Sequence, residues 1–500
     1  MAFKKYGNTA PVTLFWHDYE TSGLSKSLDR ATQFAGIRTD VDLNIIEEPV
    51  ALFCKVAEDT VPDPQACLLT GITPQRIERE GGVTEAEFAR RIEKELGRAG
   101  TCGVGFNTIR FDDEITRNLF FRTMRDPYER EWANGNSRWD IIDLVRAVYA
   151  LRPSVLTWPT DEEGKVSFRL ENLADANGLV KTRAHDAVSD VETTIALARL
   201  IKERAPQLFH HHFSLRKKNN AAQHFDLTTQ KPLFHVSSLH GLDKHCLAPV
   251  MPLAVHPTQA NVYIVYDLTA DPTPLLGLSA EDISDRVFRS KELQLDRLPL
   301  TTIYTNKSPF LLGPKPDDMA ALGVEKLGAG FDKETATAHW KQIKAHASDI
   351  AHKVQEVYGT NERSYINADP ELSIYSGFAS RSDKSRFNAI QGSAPEKLSD
   401  FAGFENPMYD ELLFRHRARN WPQTLSQEEA QRWDKHVSER IHRGGPMQGR
   451  TMDDYFRILE ELKANPETAN HPLLPELEAW GLQRLEKTPK PAASSRGPSF

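Results

Sequence analysis

The stretch Leu14-Phe15-Trp16-His17-Asp18-Tyr19-Glu20-Thr21 decides how the chain is read, because an apolar run ends in two carboxylates two positions apart. Side chains on a strand repeat with period two, so Asp18 and Glu20 leave one face of the expected strand. Paired acids repel unless a divalent cation neutralises them, and an all-oxygen donor set suits Mg²⁺ or Mn²⁺ rather than zinc. Acids flanking a tyrosine also occur on solvated strand ends, so the stretch needs an answer from elsewhere in the chain.

Further along, Gln33-Phe34-Ala35-Gly36-Ile37-Arg38-Thr39 and Pro49-Val50-Ala51-Leu52-Phe53-Cys54-Lys55-Val56 read as a second and third strand, and Cys102-Gly103-Val104-Gly105-Phe106-Asn107 as a short buried one. Between them Phe88, Ile92 and Leu96 fall at helical spacing behind Thr84 and Glu87, which have the spacing of a capping box. Strands and helices alternating in this way predict an α/β domain.

Asp112 and Asp113 stand where a strand and loop hand over to a helix with apolar positions at Ile115, Leu119 and Phe120. Acids there also complement the positive end of a helix dipole, which accounts for Asp113 and Glu114 without any function. From Arg110 to Arg152 the chain carries eight arginines, no lysine and seven aromatics, a mixture suited to gripping phosphates and stacking unpaired bases. Eight acids lie in the same segment, so core packing and salt bridges explain any one of these residues equally well. Downstream, Asp186 reads as the cap of a helix, with His185 just outside it and Asp190 in its first turn, and such a pair can face one cleft.

At 500 residues the chain predicts roughly two to four domains. With 39% hydrophobic and 26% charged residues it reads as soluble and globular, without a secretory h-region or an apolar run of membrane-spanning length, so a cytoplasmic location without membrane contact is expected. A net charge of -8 argues against unspecific adhesion to nucleic acid over the whole surface but permits a local basic channel. Cys54, Cys67, Cys102 and Cys246 are scattered and read as incidental or buried thiols. After residue 205 the chain changes character. His210-His211-His212 cannot all face one ion and are expected to be solvent-exposed. Leu233-Phe234-His235-Val236 and Asn261-Val262-Tyr263-Ile264-Val265-Tyr266-Asp267 predict strands, and the stretches around Trp433 and Tyr455 predict helices.

Taken in order, Asp18 and Glu20, then Asp112 after Asn107-x-x-x-Phe111, then Asp190 five residues after His185, resemble the DEDDh family of 3′-5′ exonucleases. Trp16 to Thr21, Gln33 to Asp40, Arg110 to Glu114 and Ser167-Phe168-Arg169-Leu170-Glu171 are similar, within that group, to the bacterial exodeoxyribonuclease I family, and the likeness extends more thinly through Lys231 to Ser237 as far as Arg417 to Pro422. That resemblance implies a ribonuclease H-like exonuclease domain over residues 12–204, an SH3-like β-rich domain over 206–360, a helical C-terminal domain over 362–486 and a disordered tail over 487–500. It implies digestion of single-stranded DNA from the 3′ end with release of 5′-mononucleotides, a role in DNA repair and recombination, and docking onto the acidic C-terminal tail of single-stranded DNA-binding protein.

Phosphodiester hydrolysis is served by two metals held roughly 4 Å apart, which generate hydroxide and stabilise charge on the entering and leaving oxygens. On this reading Asp18 bridges two Mg²⁺ ions, with Mn²⁺ able to substitute, and Glu20, Asp112 and Asp190 complete the ligands. His185 is the general base, and Glu20 also reaches the terminal 3′-hydroxyl. Arg169 is expected to contact substrate, with Arg117, Tyr128, Trp132 and Arg146 along the strand path. A monomer is expected. A DEDDh ribonuclease or a proofreading exonuclease is the nearest alternative, although neither needs an extension of roughly 300 residues. A DNA-binding scaffold on a retained nuclease fold would have no use for all five active-site residues.

Overall fold

A computed structural model describes residues 11–179, 187–328, 331–360 and 369–491. The acidic stretch forms β1 (Thr13–Thr21), which sits at the centre of a five-stranded sheet with β2 (Ala31–Thr39), β3 (Val50–Phe53), β4 (Thr101–Gly105) and β5 (Ser137–Asp140). The strand order is β3-β2-β1-β4-β5. β2 runs antiparallel to β1 along nearly its whole length, whereas β4 runs parallel to it and pairs only from Thr13 to Trp16. Asp18 and Glu20 therefore lie beyond the end of β4, where β1 has a paired strand on one side only.

Period-two alternation sorts β1 onto two cores. Leu14 and Trp16, with Ala35 and Ile37 of β2, pack against Ala187, Val191, Ile195 and Ala198, the apolar stripe of the helix Ala187–Arg204. Phe15 and Tyr19, with Phe34, face Phe88 and Ile92 of the helix Glu85–Leu96 and Ile115 and Leu119 of the helix Asp112–Arg122. Gly36 permits this packing, since a Cβ there would stand 2.2 Å from the Phe15 ring. Half of the expected capping box forms: the Thr84 hydroxyl accepts from the Glu87 N–H at 3.4 Å, while the Glu87 carboxylate pairs with Arg90 and Arg91.

A second five-stranded sheet, wholly antiparallel, has the order β10-β6-β7-β8-β9, comprising β6 (Leu233–Val236), β7 (Leu247–Val255), β8 (Val262–Asp267), β9 (Leu300–Tyr304) and β10 (Phe310–Leu312). Phe234, Val236, Phe310 and Leu312 join the same buried cluster as Trp139 and Leu144, so the two sheets share a continuous core. Beyond residue 369 the described chain is helical. Ser426 with Glu429 and Thr451 with Asp454 form complete capping boxes at the starts of the helices Gln427–Arg443 and Met452–Ala464. The four cysteines are buried and unbridged.

The histidine triplet departs from the exposure expected of it. It falls inside the helix Pro206–Leu215, whose periodicity leaves His210 outside but buries His212 completely. Trp139 Nε1 donates to His212 Nδ1 at 3.1 Å, which leaves Nε2 as the protonated nitrogen, 2.9 Å from the Ser308 carbonyl. His212 thus ties the first sheet to the loop before β10, and burial pushes its pKa from 6.5 down to about 4. A group with a depressed folded-state pKa takes up protons in the unfolded chain first, so its contribution is complete above pH 6.5 and disappears as the pH falls toward 4. Urea unfolding at neutral and acid pH should show the Gln variant, H212Q, losing about 3 kcal/mol less stability than wild type over that window.

Candidate active site

At the open end of β1 the carboxylates of Asp18, Glu20 and Asp190 converge, each offering an oxygen within 4.8 Å of the others. β1 supplies the first two by its alternation. Asp190 arrives because the helix Ala187–Arg204 lays Ala187 and Val191 on the sheet and so turns its first exposed turn toward the strand end. Burial, and then the facing Asp190 charge, push the Asp18 carboxyl from 3.8 up to about 8. Three half-buried carboxylates at this separation form a hard, all-oxygen donor set that fits a divalent cation.

Asp112 stands beside this trio without belonging to it. It is buried at the first position of its helix, and its Oδ1 accepts the Tyr19 N–H at 3.1 Å, the backbone donor that β4 leaves unpaired by ending early. The Thr116 hydroxyl donates to the Asp112 carbonyl at 2.9 Å and lies 3.0 Å from the Tyr19 hydroxyl, so strand and helix are joined twice. Burial, then the charges of Asp18 and Asp113, raise the Asp112 carboxyl well above the usual carboxylate range. Asp113 has the opposite environment. Burial opposes its ionisation, but Arg130 and Arg138 outweigh burial and hold it low. His185 lies outside the described residues, as does Asp186, its expected helix cap.

The acids open into a cleft of about 790 Å³ whose lining includes Asp18, Asp190, Asn107, Phe168, Arg146 and Arg169. Arg169 is exposed at the start of the helix Leu170–Ala176. Arg146 is partly buried, 2.7 Å from Asp143, with its guanidinium over the Phe168 ring. The remaining strand-path candidates are not among the described residues that line this cleft. Arg117 is buried and bonded to Glu131 at 2.7 and 2.9 Å and to Glu114 at 2.7 Å, with its guanidinium 5.2 Å from the Tyr128 ring centre. Tyr128 is half-buried and meets Phe378 edge-on, while Trp132 stands 66% exposed. Of the arginines between 110 and 152, Arg122, Arg125, Arg130 and Arg138 are likewise buried in ion pairs, so the salt-bridge reading holds for most of that segment.

Sequence reasoning passed over Asp140. Its carboxylate accepts the N–H groups of Asn107 at 2.8 Å, Ile109 at 3.1 Å and Ile142 at 3.0 Å, holding the turn that leads from β4 to Asp112. Burial pushes it to about 7. Its one sequence signal was a lone acid inside the apolar run Trp139-Asp140-Ile141-Ile142.

Comparison with known proteins agrees with this geometry. The chain matches a family model described as exonuclease over residues 15–198, the exonuclease I SH3-like domain over 216–360 and the exonuclease I C-terminal domain over 368–484. It is 38% identical over 482 residues to exodeoxyribonuclease I of Haemophilus influenzae, covering 95% of this chain and 99% of that protein. Exonuclease I from Methylocaldum szegediense superposes with a TM-score of 0.86 at 41% identity, covering 95% of this chain and 100% of that one. E. coli exonuclease I in complex with a dA16 oligonucleotide superposes with a TM-score of 0.86 at 36% identity, covering 96% and 100%. Other solved relatives include a zinc-bound complex of the E. coli enzyme with single-stranded DNA and an SSB/exonuclease I structure, each 35% identical. Three family models in sequence order and a relative aligned along almost its whole length carry one conclusion: the chain belongs to the exodeoxyribonuclease I family, with a ribonuclease H-like exonuclease domain followed by SH3-like and helical C-terminal domains.

Proposed function

We propose that the chain hydrolyses single-stranded DNA from its 3′ end, releases 5′-mononucleotides in a Mg²⁺-dependent reaction that Mn²⁺ also supports, and serves DNA repair and recombination. The observation that carries this reading is the convergence of Asp18, Glu20 and Asp190 at the mouth of a cleft bordered by two arginines. Asp18, Glu20 and Asp190, with Asp112 beside them, would hold the ions. A bound pair of divalent ions supplies Lewis acidity toward the attacking water and the scissile phosphate.

The chain's own residues do the rest. His185 takes the proton of the attacking water on a ring nitrogen. Glu20 also receives the terminal 3′-hydroxyl. Arg169 and Arg146, both lining the cleft, neutralise phosphates of the strand. Trp132 and Tyr128 offer aromatic faces farther along the path. Arg117, committed to Glu131 and Glu114, serves by holding the Tyr128 ring rather than by gripping phosphate.

The partner in this reading is the acidic C-terminal tail of single-stranded DNA-binding protein, as the solved SSB/exonuclease I structure of a relative suggests. The protein acts as a monomer in the bacterial cytoplasm, associated with the nucleoid and away from the membrane; among the described residues no helix is long and apolar enough to cross one. Its working parts are residues 12–204, 206–360 and 362–486, followed by a tail.

Digestion of labelled DNA and RNA strands with free or blocked 3′ ends tests the activity. Only DNA with a free 3′ end should shorten, in Mg²⁺ and not in EDTA, and Asp18→Ala and His185→Ala should each be slower by about 10² to 10⁴. DNA that is bound but left intact in either metal would refute the assignment. The donor set makes a second prediction, readable without turnover. At neutral pH the metal-free fold keeps Asp18 protonated while the unfolded chain ionises it freely, so Asp18→Asn in EDTA should melt above metal-free wild type, and added Mg²⁺ or Mn²⁺ should raise its melting temperature less.

A further inference from the structure

Away from the acidic cleft, one chain of ion pairs touches all three parts of the molecule and ends one residue from Asp112. At its centre is Arg138, buried on β5. Its Nη1 donates to Asp113 Oδ2 at 2.9 Å, its Nε lies 3.2 Å from Glu131 Oε2, and its Nη2 donates to the Asn306 carbonyl at 3.1 Å. Asp113 also receives Arg130 Nη2 at 2.5 Å. Glu131 passes the network to Arg117 and Glu114, and the Glu114 carboxylate takes the hydroxyl of Tyr375 from the helical part.

Asn306 is the unexpected member, because it belongs to the turn that joins β9 to β10 in the second sheet. The next residue, Lys307, lines a groove of about 260 Å³ together with Arg110, Arg146, His235, Thr302 and Tyr304. Ile142 and Arg146 border this groove and the acidic cleft alike, so the two recesses adjoin. Lys307 sits 4.3 Å from the Tyr304 ring centre, and burial followed by the charge of Arg117 lowers its pKa. Asp140 and Asp143 also line the groove, Asp143 being paired with Arg146, and Glu114 faces Lys307, yet Arg110, Arg138 and Arg117 act on Lys307 in the opposite sense, so an anion at this point relieves a half-sequestered cation.

We propose that Arg138 is a positioning residue for Asp112 that couples occupation of this groove to the acidic site; the inference rests on the nuclease reading above. A strand phosphate drawn to Lys307 and Arg110 fixes the turn bearing Asn306. The Asn306 carbonyl then holds Arg138, Arg138 and Arg130 together hold Asp113, and the start of the helix Asp112–Arg122 is locked with Asp112 Oδ1 against Tyr19. Occupation of the groove tightens metal binding, and by reciprocity metal tightens the hold on strands that reach the groove. Strands confined to the acidic cleft gain nothing from this path.

The test compares wild type with Arg138→Met, which removes three donors but leaves Arg130 on Asp113. Mn²⁺ binding is followed by electron paramagnetic resonance, with an uncleavable strand spanning both recesses or an uncleavable dinucleotide; turnover is measured on cleavable strands of the same two lengths. In wild type the long strand should tighten Mn²⁺ binding by about tenfold over the dinucleotide, and R138M should lose that difference. At subsaturating metal its kcat on long strands should drop to the short-strand value, and by the same reciprocity its KM for long strands should rise by up to about tenfold. A wild type without a long-strand advantage in metal affinity, or an R138M protein that keeps it, overturns the proposal. If R138M fails to fold by circular dichroism, Arg138→Lys carries the same comparison, since its ammonium keeps the charge but lacks the fork needed for three acceptors. A wild type that digests neither strand condemns the nuclease reading instead.

Discussion

Mutual repulsion among carboxylates is the constraint around which this molecule is built. Asp18, Glu20 and Asp190 hold oxygens within 4.8 Å of one another, with a fourth acid, Asp112, buried alongside. Left to themselves, such groups would spread into water or take up protons. They stay together because each is mounted on an element whose position is set by something else: β1 by its two cores, the Asp190 helix by its apolar stripe, and Asp112 by the Tyr19 N–H at the end of the β4 ladder. Folding thus holds these carboxylates at a separation where a proton or a divalent cation would neutralise them.

The helical part docks on the exonuclease part through two apolar clusters, Val61 and Cys67 with Phe414 and Tyr455, and Phe121 and Met124 with Tyr409 and Leu412, and through a buried ion network between them. Arg419 reaches Asp59 at 2.6 Å and also Glu371, Arg30 reaches Glu85 at 2.9 Å and Glu371 at 3.2 Å, and Arg122 shares Glu85 at 2.9 Å. Arg415 closes the group on Asp369 at 2.8 Å. Buried ion pairs of this kind contribute little net stability, because desolvation cancels much of the attraction, but any displaced arrangement leaves charges unpaired at a cost of several kcal/mol. The consequence is specificity of docking: the helix Met408–Asn420 has one register in which Arg415 and Arg419 both find acids. Two separate ion networks, this one through Arg122 and the Arg138 network through Asp113, Glu114 and Arg117, therefore grip the two ends of the helix Asp112–Arg122.

Much of this was readable from local pattern. Alternation in Leu14 to Thr21 announced both the strand and the shared face of Asp18 and Glu20, and the spacing of Ile115 and Leu119 announced the helix that opens on Asp112. Reading failed where a residue's surroundings come from distant chain. His212 looks like one of three solvated histidines until Trp139 and Ser308, from two other elements, close around it. Arg117 has the composition of a phosphate grip, but Glu131 and Glu114 reach it first. Glu87 had the spacing for a reciprocal cap, yet two neighbouring arginines compete for it successfully. Asp140 escaped notice altogether, because nothing in a sequence reveals that three backbone N–H groups will converge on one acid.

The sequence alone determined which residue types could do the chemistry, in what order they occur and which secondary structure carries them, because periodicity and residue type act over a few positions and need no partner. Only tertiary structure decided which of many acids and arginines share a cleft and which neutralise one another in the interior. Pairing depends on distances between elements hundreds of residues apart, as when Arg30 meets Glu371 or Arg138 meets the Asn306 carbonyl, and those distances exist only after the sheets and helices have packed.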